Sequence, residues 1–169
     1  MKKINISKFN EILNATGDAL TLGQMVSAIP STSVNEFQLK SKYCYDVTHK
    51  FKQCQRNISR RIINDLPLNI AAKGFRKGGS YLDFIEEHRV NFHFLRLDIK
   101  DFFHSISKDK VKESFSTYFE SDKIVDSNEM TILDAFANVV TYDVPTQSSN
   151  KKFSGKNILP MGFVTSPGI

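Results

Sequence analysis

The sequence predicts an α+β fold, rich in helix and carrying a small antiparallel sheet. Apolar residues recur at helical spacing over 46–64, 108–119 and 129–140. Residues 92–99 (FHFLRLDI) form a short, almost continuous apolar run of strand length, and apolar and polar residues alternate over 36–45 as in a strand or hairpin.

In chain order, Ile6, Phe9, Ile12 and Leu13 share one face of a first helix, and Thr21-Leu22 opens a second that stops near Pro30. Ser31-Thr32-Ser33 reads as a turn. Asp46 is placed to cap the third helix, where Val47, Phe51, Cys54, Ile58 and Ile62 make one apolar stripe. Lys52, Arg56 and Arg60 line the opposite side, either as a solvated face or as a contact for nucleic acid. Pro67 closes this unit. Ala71 to Ser80 (AAKGFRKGGS) is then a glycine-rich basic turn, with Ser80 placed to cap a helix running to His88. Lys73, Arg76 and Lys77 concentrate positive charge where glycines let the backbone approach a ligand. The turn lacks the Walker spacing and is not a P-loop. Residues 146–157 read as a polar, lysine-bearing hairpin tip, and 159–169 as an apolar loop with Pro and Gly at both ends.

Composition narrows the function classes. With 40% hydrophobic and 24% charged residues over 169 positions, the chain has the balance of a folded, water-soluble domain or part of one. No apolar run approaches bilayer length and the N-terminus is charged too early for a signal peptide, so a cytoplasmic protein with no membrane partner is expected. Cys44 and Cys54 have neither a disulfide framework nor zinc-ligand spacing and read as reduced, packed thiols. His49, His88, His93 and His104 are likewise not spaced for zinc with a cysteine and read as structural or surface residues. Between Lys40 and Lys77 ten basic side chains face two acidic ones, a net of +8 in a chain of net +5, which leaves −3 for the rest. Such asymmetry points to a polyanionic partner.

The segment richest in chemistry is Leu97-Asp98-Ile99-Lys100-Asp101-Phe102-Phe103-His104-Ser105-Ile106. A carboxylate at the end of a buried strand is costly unless it is paired or ligates a cation. Mg²⁺ takes one or two carboxylates together with phosphate oxygens, so Asp98 fits a nucleotide-metal site. The alternative is an aspartate capping the following turn.

LDIKDFFHSI, followed some fifty residues later by LPMGFVTSPG and preceded by GFRKGGS, resembles bacterial reverse transcriptases of the retron and phage-defence type. The resemblance covers about 55–169. It implies a right-hand polymerase fold, with 1–35 as an N-terminal helical extension, 36–91 as fingers and 92–169 as a partial palm. It also implies an RNA-directed DNA polymerase using two Mg²⁺ ions, dNTPs, and a noncoding RNA as template and primer for a DNA product, with effector proteins of an anti-phage defence complex as further partners. By the same resemblance Asp98 is the catalytic metal ligand, assisted by the Ile99 carbonyl. Lys100, Asp101, Phe102, Phe103, Met161 and Gly162 surround the nucleotide, with Phe103 excluding a 2′-hydroxyl. Pro160, Ser166 and Pro167 complete the second motif, and Lys40 and Lys42 are the candidates for a fingertip hairpin. Lys52, Arg56, Arg60, Lys73, Arg76 and Lys77 would bind nucleic acid. Met161 stands where the family usually has glutamine, so a side-chain hydrogen bond is lost. No Asp-Asp pair occurs for the family's third motif. One carboxylate cannot hold two ions, so this stretch is expected to be a fragment of a longer polymerase and inactive alone. A polymerase-derived RNA-binding or scaffold module without catalysis is the alternative function.

Overall fold

The computed structural model describes residues 3–17, 20–67, 69, 71–74, 78–80, 82–86, 88–121, 123–124 and 130–169. Helices α1 (Ile6–Leu13), α2 (Leu22–Met25), α3 (His49–Arg61), α4 (Leu82–Glu86), α5 (Lys108–Phe115) and α6 (Ile132–Val140) accompany two antiparallel pairs. The pairs are β1 (Val34–Leu39) with β2 (Lys42–Val47), and β3 (Tyr142–Asp143) with β4 (Asn157–Ile158). The fold is therefore α+β with small antiparallel sheets.

Each long helix forms where local chemistry agrees with its apolar stripe. Asn5 caps α1 by accepting the Lys8 N–H at 2.9 Å, and Phe9, Ile12 and Leu13 are buried. Thr21 with Gln24 and Thr131 with Asp134 build reciprocal capping boxes at α2 and α6, satisfying backbone donors that have no intrahelical partner. The second box fixes the start of α6 at Ile132. Helix α2 ends at Met25, short of the expected stop near Pro30.

The capping role expected of Asp46 is not realised. Strand pairing runs on through Val34 opposite Val47, so α3 starts at His49 behind Thr48, which makes no side-chain cap bond. Asp46 instead accepts the Val47 N–H and pairs with Lys52 at 2.8 Å. Ladder hydrogen bonds satisfy several groups at once, where a cap satisfies one.

Helix α6 is almost wholly enclosed. Phe136 meets Phe115 at 4.8 Å and Phe119 at 5.1 Å between ring centroids, and Phe119 in turn meets Phe9 edge-on at 5.8 Å. This aromatic stack joins α1, α5 and α6 into one core with Ile12, Leu13, Ile58, Ile132 and Val140. Buried amides link the remaining elements. Asn138 donates to the carbonyls of Met25 and Val26, Asn57 to that of Leu13, and Gln55 Nε2 to that of Val139 at 2.9 Å while its Oε1 accepts the Val164 N–H at 3.2 Å.

The largest departure from expectation lies at 92–99. Phe92, Phe94, Leu95, Leu97 and Ile99 are 67–91% exposed, and the described residues give this segment no ladder partner. Apolar composition suits a strand, but a strand exists only against a neighbour that takes its backbone hydrogen bonds. The expected buried strand is thus absent, and Asp98 is exposed at the end of an uncovered segment.

Gln55→Leu fits the apolar stripe of α3 yet strands a buried carbonyl. It should cost about 1–3 kcal/mol, seen as a lower urea midpoint with an unchanged denaturant slope.

Candidate functional site

The two motif-bearing segments, far apart in sequence, meet. After Lys100 the chain turns at Asp101, whose φ of +55° is unusual for a residue with a side chain. A single 3₁₀ turn, Phe103–Ser105, follows, closed by Ser105 N–H to the carbonyls of Asp101 and Phe102 and by Ser105 Oγ–H to that of Phe102 at 2.7 Å. From this turn the Ile106 carbonyl accepts the Leu159 N–H at 2.8 Å, while His104 Nε2 accepts the Met161 N–H at 3.4 Å.

The Met161 backbone is held on its other side as well, because its carbonyl accepts the Tyr45 N–H at 2.8 Å. Strand β2, the 103–105 turn and the 159–163 loop are thereby tied together. Gly162 makes the approach possible. Its φ is +110°, and a Cβ there would lie 2.5 Å from the Tyr45 carbonyl oxygen. The resemblance implies that Gly162 admits a nucleotide; the neighbour it admits in the structure is β2. Ser166 Oγ–H closes the loop onto the Pro160 carbonyl at 2.6 Å.

His104 is buried between aromatic rings, 5.7 Å from Tyr45 and 5.1 Å from Phe153, both edge-on. Desolvation lowers its pKa below the usual histidine value, against the raising influence of Asp101. An Nε2 that accepts a hydrogen bond belongs to the neutral ring protonated on Nδ1, a tautomer assigned from that bond. Asp101 is drawn below the usual carboxylate range first by its hydrogen bond from Lys152, helped by the charges of Lys152 and Lys100. Tyr45, whose hydroxyl accepts from Asn150 Nδ2 at 2.8 Å, is pushed up to about 12 by burial.

The loop between β3 and β4 supplies the outer wall, as expected of a hairpin tip. Glu36 accepts from Ser148 Oγ at 2.5 Å and from the Asn150 N–H at 3.2 Å, and Tyr43 donates to the Ser149 carbonyl at 2.9 Å. Lys152 reaches Asp101 as an ion pair.

The structure brings together Asp101, Phe102, Phe103, Pro160, Met161 and Gly162. Phe102 and Phe103 stack edge-on at 5.6 Å, Phe102 exposed and Phe103 half-buried. Asp98, Ile99 and Lys100 stand outside on the uncovered segment. Since Asp98 is not buried, the desolvation argument for a bound cation does not apply to it. Neither does Asp98 cap the next turn, which follows Phe102 without a side-chain cap bond. Among the described residues no group of three or more His, Cys, Asp or Glu side chains is gathered to hold a metal ion. The carboxylate of Asp98 with the Ile99 carbonyl falls short of the ligand set two Mg²⁺ ions need.

Lys40 is the first residue of the two-residue turn of the β1–β2 hairpin immediately before α3 and Lys42 opens β2; Lys40 adopts the positive φ of +56° that such turns favour. Lys52 is neutralised by Asp46. Arg56 is half-buried, Arg60 exposed and Lys73 half-buried; Arg76 and Lys77 lie outside the described residues. Cys54 is buried, with its thiol pushed up to about 12 by desolvation, and Cys44 is buried and free. Sequence reasoning assigned no function to His104, Lys152, Asn150 or Glu36, whose partners lie from 51 to 114 positions away. Gln55 did carry a signal, because it sits four residues after Phe51 and three before Ile58 on the buried face.

No family model matches the chain. No helix among the described residues is long and apolar enough to cross a membrane.

Gly162→Ala should destabilise the chain by more than the 1–2 kcal/mol typical of a left-handed residue, because the methyl also meets the Tyr45 carbonyl; thermal melting reads it. A second expectation concerns pH. His104 in the folded chain binds its proton less readily than in the unfolded chain, so its stabilising contribution is complete above the unfolded histidine pKa of 6.5 and is lost as pH falls through the lower folded value. Asp101 and Asp134, both held below the usual carboxylate range in the folded chain, lose theirs only at more acid pH. Urea midpoints between pH 7.5 and 5 should therefore fall for the wild type and stay flatter for His104→Gln.

Proposed function

We propose that the chain is the front part of an RNA-directed DNA polymerase, combining a fingers hairpin with the first part of the palm of a right-hand fold. The observation that carries the reading is the pinning of the Met161 backbone between Tyr45 and His104, at 2.8 and 3.4 Å. It joins the LDIKDFFHSI and LPMGFVTSPG segments beside a lysine-tipped hairpin, the arrangement a nucleotide site shared by these three elements requires. Phe103 then serves as the bulk that a ribose 2′-oxygen would have to displace, at an overpacking cost of about 1–3 kcal/mol, which favours deoxynucleotides.

Asp98 acts as the catalytic carboxylate. It cannot hold two ions alone, so the remaining ligands come from another segment or another chain. The template is a structured noncoding RNA that also serves as primer, bound through its phosphates by α3 and the 71–80 turn, in a retron-type anti-phage system with effector proteins. Loss of the usual glutamine at Met161 removes a side-chain contact but leaves the backbone connections of that residue in place. This favours, as a second reading, a polymerase-derived RNA-binding or scaffold module with no catalysis of its own.

One experiment separates the two. In the full-length protein supplied with native RNA, dNTPs and Mg²⁺, Asp98→Ala should abolish primer extension and leave RNA affinity within about twofold, since a single carboxylate adds little to a phosphate-driven interface. Extension retained by the variant sinks the catalytic assignment. RNA binding without extension by the wild type establishes the module.

A further inference from the structure

The loop joining β3 to β4 is unusually basic and unusually well held. Lys151, Lys152 and Lys156 lie within six positions and are all exposed. Their backbone is fixed by Phe153 and Ser154 N–H groups on the Asn150 carbonyl, by Lys156 N–H on that of Phe153, and by Gly155 N–H on that of Val144 at 2.9 Å. Gly155 takes a φ of +72°, which closes the loop. Two ammonium groups share one ring: Lys152 Nζ is 5.4 Å and Lys156 Nζ 5.7 Å from the centroid of Phe153. Lys100 directly precedes Asp101 in the chain, and its charge, like that of Lys152, lowers the pKa of the Asp101 carboxylate.

Asp101 is the one acidic group that the described ion pairs place against this cluster, through Lys152. Lys151 and Lys156 take part in no described ion pair. Holding like charges on a rigid loop is unfavourable in the free protein, and a bound polyanion relieves it. An exposed aromatic ring, Phe102, adjoins Asp101. Lysines beside a carboxylate whose chain neighbour is an exposed ring, Phe102, suit a nucleic-acid strand better than an acidic protein surface, because a base can stack on such a ring while phosphates meet the lysines.

We infer that Lys151, Lys152 and Lys156, carried on one loop with Lys152 and Lys156 over Phe153 and Lys152 on Asp101, form a second RNA-backbone contact surface, separate from α3 and the 71–80 turn. The loop is its rigid platform, and the Asp101 carboxylate occupies the position that a phosphate would share with Lys152. The assignment concerns binding alone and does not depend on catalysis by Asp98.

The test measures fluorescence anisotropy of a labelled RNA hairpin with a single-stranded tail against the whole chain over a range of salt. Lys151→Glu/Lys156→Glu should weaken binding about tenfold, and the neutral Lys151→Gln/Lys156→Gln pair should lower the log–log salt slope by about 1 per lysine removed. Lys3→Glu/Lys8→Glu, with the same charge change on the N-terminal segment, should shift affinity less than twofold. Equal losses in the two reversed pairs would show an effect of net charge alone and overturn the surface, as would no loss in either or no RNA binding by the wild type. Poly-glutamate competing as strongly as RNA at equal charge would overturn the nucleic-acid assignment. Thermal melting of each variant excludes unfolding as the cause of a loss. A null result in the reversed lysine pair leaves the extension result for Asp98→Ala untouched, so this surface can fail alone; absence of RNA binding by the wild type would overturn the proposed function as well, on whose RNA partner the surface rests.

Discussion

The arrangement of the site depends on the peptide group of Met161. Its N–H reaches the imidazole of His104 and its carbonyl is held by the Tyr45 N–H at 2.8 Å. The Tyr45 donor is a backbone group, whereas the His104 acceptor depends on the side chain. A ring nitrogen with a free lone pair accepts from the loop only while His104 is neutral, and burial against Tyr45 and Phe153 favours that state. Gly162 next to it removes the one atom that would push the strand and loop apart. Packing, protonation state and backbone conformation therefore bear on a single junction.

Around that junction the fold relies on polar groups buried with their partners satisfied. Gln55 spans α6 and the C-terminal loop, Asn150 ties the β3–β4 loop to Tyr45, and Asn138 ties α6 to the end of α2. Each such bond contributes only about 1 kcal/mol net. The larger effect is selective, since an apolar core of similar volume would tolerate several registers of these short elements, and an amide that must find its carbonyl tolerates one. Thr165 Oγ1 is the buried side-chain oxygen without a partner among the described residues. It lies in the same loop, one residue before Ser166, whose own hydroxyl is bonded.

What the sequence disclosed follows from the range of the interactions that code for it. Helices α3, α5 and α6 were legible because their apolar stripes, and at α5 and α6 their caps, lie within a few residues of one another, and the β1–β2 hairpin because alternation is local. The meeting of 103–106 with 159–163 was legible only through the resemblance of the two motifs, since nothing in either segment alone specifies the other. The Lys152–Asp101 pair was invisible: a lysine in a polar loop looks the same whether or not a carboxylate stands opposite it 51 positions away. Asp46 misled for a related reason. As a local signal it is a sound helix cap, and it lost to a non-local ladder that carried the strand one residue past it.

Residues 92–99 show the limit of composition as a guide. One face of the segment, with His93, Leu95, Leu97 and Ile99, is largely apolar, and the other carries Phe92 and Phe94 ahead of Arg96 and Asp98. The first half of this pattern suits a strand covered on both faces. Composition nevertheless encodes only the tendency to be buried, whereas burial itself needs an adjacent ladder and a layer above it. Here the described residues provide neither, and Phe92 is 91% exposed. The position of Asp98 is consequently set by the next six residues rather than by a sheet. Those residues run from Ile99 through the left-handed turn at Asp101 to His104, so the carboxylate proposed for catalysis is anchored to the rest of the site through the same imidazole that holds Met161.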